Sequence, residues 1–124
     1  MIILKNQAAA NVDYALYRTV GDRSTYSGPL KTDIYADTLV ITSTAPKKSR
    51  TSNGNRRSSV NLLTSTSVAH PSDGGMIDLN RKLELVGSYP VGTTDEQFME
   101  DISRLRSLSD SEFLAIFKTG KIEF

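Results

Sequence analysis

Up to residue 92 apolar and polar positions alternate in twos, and beyond it they recur every three or four, so the chain predicts strands followed by helices. Residues 1–4 are an apolar run suited to a first strand, and residues 6–11 a small polar connection. In residues 13–20 Tyr14, Leu16 and Arg18 share one face and Ala15, Tyr17 and Thr19 the other, a second strand with aromatic content. Gly21-Asp22 makes a turn, Ser24-Thr25-Tyr26 a brief third strand, and Ser27-Gly28-Pro29 breaks it. Residues 30–35 read equally as an extended fragment or a loop.

The middle of the chain reads as a long hairpin. In its first arm Leu39 and Ile41 oppose Thr38, Val40, Thr42 and Thr44. In its second, Val60, Leu62, Thr64, Thr66 and Val68 alternate with Ser59, Asn61, Leu63, Ser65 and Ser67. Each arm has a more apolar face and a hydroxyl and amide face, with Val40 and Leu63 as exceptions on the polar side. Asn53-Gly54 between the arms is a turn signal, since both residues tolerate positive φ. After a loop at residues 70–75, residues 76–86 alternate Ile77, Leu79, Leu83 and Leu85 with Asp78, Asn80, Lys82 and Glu84, Arg81 interrupting the apolar row. Pro90-Val91-Gly92 ends the strand region.

Two overlapping capping boxes then open a helix, Thr93 with Glu96 or Thr94 with Gln97, and acids lie at its positive end. Phe98, Ile102, Leu105 and Leu108 form one apolar stripe. Ser109 with Glu112 opens a second helix carrying Phe113, Leu114, Ile116 and Phe117, and Gly120 is its expected stop. Residues 121–124 are a tail.

Composition narrows the classes. With 124 residues, 38% hydrophobic and 23% charged, this is one soluble globular domain, mainly β over 1–92 and helical over 93–120. Cysteine is absent, which excludes disulfides and thiolate metal sites, and no apolar run is long enough to span a bilayer. A single histidine, and carboxylates Glu96, Glu100 and Asp101 on the polar side of a helix, offer no nucleophile with its base. No enzyme activity, cofactor, metal or small-molecule substrate is expected.

The net charge of +1 conceals an uneven distribution. Residues 38–72 contain no acid and carry Lys47, Lys48, Arg50, Arg56 and Arg57 around the hairpin tip, whereas residues 93–124 hold seven acids against four bases. That polarity favours a polyanion on one face only.

The layout is α+β, an N-terminal β-hairpin and an antiparallel meander sheet of about five strands, with two C-terminal helices on one face. Helices of about 16 and 11 residues supply only about 24 Å and 16 Å of rod, a thin cover for such a sheet, whose open edge must also be managed. Two copies joined edge to edge answer both needs. Phe98, Ile102, Leu105, Phe113 and Phe117 are then the dimer interface, although periodicity leaves open whether the stripe packs on its own sheet or its neighbour's. The uncovered face presents Thr42, Thr44, Ser59, Asn61, Ser65, Asn80 and Lys82, whose hydroxyls, amides and charge suit nucleic-acid bases and phosphates.

The order of these features resembles the coat proteins of single-stranded RNA bacteriophages, the levivirus-like group. The short N-terminal hairpin, the long hairpin with its basic polar turn, the loop His70, Pro71, Ser72, Asp73, Gly74, Gly75, the strand 76–86, the Pro90-Val91-Gly92-Thr93-Thr94 passage and the two helices carry the resemblance over nearly the whole chain. It implies an intertwined dimer with a continuous ten-stranded sheet, an icosahedral shell assembled in the bacterial cytoplasm, and inter-dimer contacts by loop 70–75. It also implies packaging of the single-stranded RNA genome on the inner sheet face and translational repression through an RNA hairpin. Leu63 stands where a polar residue is expected and the face shows no aromatic residue, which favours non-specific genome contact. The alternative is a dimeric nucleic-acid-binding module or repressor that forms no shell.

Overall fold

The computed structural model describes residues 1–32, 34–69, 72 and 74–123, so His70, Pro71 and Asp73 of the expected inter-dimer loop lie outside it, as does Phe124 of the tail. Two compact units divide the chain, residues 1–91 and 92–124. The first is an antiparallel six-stranded sheet in sequence order, β1 (Ile2–Lys5), β2 (Asn11–Val20), β3 (Arg23–Ser27), β4 (Asp37–Thr44), β5 (Asn55–Ala69) and β6 (Met76–Pro90). The second is a helix pair, α1 (Asp95–Arg106) and α2 (Asp110–Thr119), completing the α+β layout.

The expected long hairpin is present as β4 and β5, registered from Asp37 opposite Thr64 to Thr44 opposite Arg57. Its second arm starts four residues earlier than the alternation indicated, because Asn55 to Ser58 pair with Pro90 to Gly87 and carry β6 beyond Val86. Arg56 and Arg57 therefore belong to a strand, and only Lys47, Lys48 and Arg50 of the five cations lie in the connecting loop. Within that loop Gly54 has φ 84°, and a Cβ there would collide with the Lys47 backbone, so no side chain fits. Asn53 does not share the positive φ expected of it.

A second departure lies in β2. Leu16 pairs with Tyr26 but Arg18 pairs with Thr25, a β-bulge that inserts Tyr17 and exchanges the faces of everything after it. Arg18 thus leaves the face of Tyr14 and Leu16 on which simple alternation placed it.

Alternation and register together define the two faces of the sheet. One carries the lateral row Leu16, Tyr26, Leu39, Leu62 and Leu83 across β2, β3, β4, β5 and β6. The other carries Arg23, Thr42, Ser59 and Val86, and beside them Thr25, Val40, Asn61 and Glu84. Burial concentrates at Tyr14, Asp37, Leu39, Val40 and Asn61, while Leu16, Leu79, Leu83 and Leu85 of the apolar face are exposed. β6, at one edge of the sheet, presents its full fifteen residues, whereas β1 at the other edge has four.

In the helical unit the second of the two candidate boxes is used. Thr94 accepts from the Gln97 amide and Gln97 returns the bond to the Thr94 amide. Ser109 and Glu112 cap α2 in the same way, and Gly120 closes it in the left-handed conformation at φ 73°. α1 is shorter than the apolar stripe suggested, since Ser107 caps it and leaves Leu108 in the connection. Phe113 and Phe117 stack at 6.2 Å between ring centroids, and both are exposed.

Candidate nucleic-acid interface

All seven strand positions expected to meet RNA share the polar face. The register aligns Thr44 with Arg57, Thr42 with Ser59, Ser65 with Asn80 and Leu63 with Lys82, and Asn61 lies in the same array. Their hydrogen-bonding capacity is largely committed within the sheet. The Thr42 and Ser59 hydroxyls bond each other at 2.5 Å. Ser65 donates to Asn80 Oδ1 at 2.9 Å and accepts from the Ala36 amide at 3.2 Å. Asn61 is only 8% exposed, and its Oδ1 is buried without a partner among the described residues.

The charges on this face are mixed at its centre. Lys82 lies 3.7 Å from Glu84, and Asp78 accepts from Ser67 at 2.6 Å. The alternation of 76–86 already placed Asp78 and Glu84 beside Asn80 and Lys82, and their acidity offsets the lysine. Cations without an ion-pair partner among the described residues lie toward the margins. Arg57 stands on the polar face beside Thr44 and Ser88, and Lys47, Lys48 and Arg50 lie in the adjoining loop. Arg56 projects to the opposite face, where its guanidinium donates to Ser43 Oγ at 2.9 Å, so the five cations do not act as one cluster.

The bulge in β2 adds a region that strand alternation alone did not reveal. It brings Arg18 to the polar face, where Tyr17, Arg18, Val20, Asp22, Arg23 and Thr25 line a concavity of about 530 Å³. The signal for it was present in the adjacency Tyr17-Arg18 and in Arg23, but the crossing of faces depends on pairing with β3. The aromatic residue missing from the sequence-based picture of this face is Tyr17.

Among the described residues no group of three histidine, cysteine or carboxylate side chains could hold a metal ion, and no helix is long and apolar enough to cross a membrane.

Comparison with known proteins finds no matching family model and no matching curated protein. Solved structures do match. The virus-like particle of Beihai levi-like virus 32 aligns at TM-score 0.78 and 19% identity over 90% of this chain and 88% of the other. That of Wenzhou levi-like virus 4 aligns at 0.78 and 22% identity over 97% and 85%, and that of bacteriophage AVE019 at 0.76 and 13% over 99% and 96%. The chain therefore has the fold of the subunits of levi-like virus-like particles, over nearly its full described length.

Proposed function

We propose that this chain is a coat subunit. Two copies join along β6, with the helices of each over the apolar sheet face of the other. Dimers then close a shell whose inner surface, the polar face, holds single-stranded RNA. The role is structural rather than catalytic, and its setting is the virion, with assembly in the cytoplasm of the bacterial host.

The observation that carries the reading is the shared fold with particle-forming subunits across at least 90% of the chain. An edge strand as long as β6, with a leucine row beside it, is the surface a second copy would use. The cations at the margins of the polar face support an RNA partner held mainly through phosphates.

Electron microscopy of the purified recombinant protein is the test. Uniform shells whose absorbance ratio reveals enclosed nucleic acid are expected. Free dimers at every concentration would instead favour the shell-less nucleic-acid-binding module, and a stable monomer would remove both readings.

A further inference from the structure

We propose that the concavity built by Tyr17, Arg18 and Arg23 is a nucleotide-binding site for single-stranded RNA, separate from the basic hairpin loop, in which the tyrosine stacks a base and the two guanidiniums hold phosphates. The inference rests on the RNA-facing assignment of the polar face and adds to it a definite place and chemistry.

Three features carry it. First, Arg18 and Arg23 are exposed and make no ion pair among the described residues, although the turn between their strands holds Asp22. Guanidiniums present a planar fork of donors that matches phosphate oxygens, and here that fork is unused. Second, Tyr17 is 64% exposed. The Lys31 ammonium lies 4.8 Å from its ring centroid, and the exposed remainder of the side chain is the surface on which a base would stack. Third, the β-bulge is what brings Arg18 into this group, since regular alternation would put it with Leu16 on the apolar face. Bulges re-aim side chains in this way near functional sites.

The site also continues into the rest of the face. Arg23 is aligned with Thr42, which bonds Ser59. A strand of RNA leaving the concavity along that row would reach the Arg57 end of β5 within about two to three strand spacings of roughly 4.8 Å. Asp22 is the one carboxylate in the lining and would disfavour phosphate at its own end, which places the phosphates toward Arg18 and Arg23.

The experiment uses the full chain as nucleic-acid-free subunits released from shells, and a labelled oligouridylate, with binding followed by anisotropy across a salt series. Tyr17→Leu should weaken binding by about 5- to 150-fold, the value of one base–aromatic stack. Arg18→Gln with Arg23→Gln should lower the log-log salt slope by about 1.4, two phosphates at about 0.7 each. Ultraviolet crosslinking of the unaltered protein should attach RNA at Tyr17, a readout independent of whether any variant folds. Wild-type affinity and slope in the folded variants, with no crosslink at Tyr17, would overturn the site while leaving RNA binding by the loop intact. Failure of the unaltered protein to bind oligouridylate would overturn the RNA reading itself. Variants that bind RNA normally but no longer form shells would show that the arginines meet a neighbouring subunit, which also overturns the site.

Discussion

Tyr14 on β2 donates its phenolic hydrogen to Asp37 Oδ1 on β4 at 2.7 Å, passing across β3, and both residues are at least 95% buried. The second carboxylate oxygen accepts from the Leu30 amide at 3.1 Å, and the Asp37 carbonyl accepts from the Gly28 amide at 2.7 Å. One aspartate therefore ties β2, β4 and the turn after β3 together. Burial, and then the bond to Asp37, push the Tyr14 hydroxyl from its ordinary value of 10.0 up to about 12.

Tyr14→Phe should cost about 1.5–3 kcal/mol, since it removes a bond to a buried charged group and leaves that oxygen unmet. Its pH signature has a definite sign. The folded state binds the phenolic proton more tightly than the unfolded chain, so this stabilisation is full below about pH 10 and is lost as pH rises through about 12. Chemical denaturation at pH 7 and pH 11 should show the wild type losing stability at the higher value through this group and Tyr14→Phe lacking that component. Equal pH dependence in both proteins would contradict it.

Gly28 is constrained by the same aspartate. A Cβ added there would fall 2.7 Å from Asp37 Oδ1 and closer still to Cγ and Oδ2. Gly28→Ala should destabilise the sheet by about 1–3 kcal/mol through overpacking. Gly21, where an added Cβ meets nothing but φ is 59°, separates crowding from backbone strain in the same denaturation assay.

The helix stripe tests the dimer. Phe98 and Phe117 are exposed on the single chain, so truncating either should cost the isolated helix unit little. In the proposed dimer each is covered, and Phe98→Ala or Phe117→Ala should weaken the dimer by about 3–5 kcal/mol if the ring becomes fully buried. Analytical ultracentrifugation should detect dissociation at protein concentrations where the wild type stays paired, with helix content kept in circular dichroism. Unchanged sedimentation would move the interface elsewhere.

The cations divide by face. Replacing Lys47, Lys48, Arg50 and Arg57 with Gln should reduce packaged RNA and flatten its salt dependence, by about 0.7 in slope for each phosphate no longer neutralised. Arg56→Gln should leave RNA content unchanged and cost only its bond to Ser43 on the opposite side of the sheet. Equal losses from Arg56 and Arg57 would show that the tip acts as a whole.

Local signals were the legible ones. Both helix starts, the glycine stop at Gly120 and the hairpin joining β4 to β5 follow from neighbours in sequence, where capping and alternation act. What sequence pattern missed depends on pairing at a distance. The extension of β5 through Arg56 and Arg57 is set by β6, the bulge at Tyr17 by β3, and the Tyr14 to Asp37 bond spans 23 positions. The strand positions expected to meet RNA were correctly grouped on one face, but the hydrogen bonds among Thr42, Ser59, Ser65 and Asn80 appear only once the register is known. Tyr17 and Arg18 fall on opposite faces by alternation because alternation counts residues and a bulge does not obey the count.

The place of β6 at the edge of the sheet makes time a variable in this protein's life. A newly made subunit offers the outward-turned backbone groups of a long edge strand to any extended chain nearby, and in the proposed dimer a second copy reaches them by encounter. Slow synthesis leaves each copy waiting and open to tangling with strangers, whereas a burst of synthesis shortens the wait, so yield should rise more steeply than in proportion to expression.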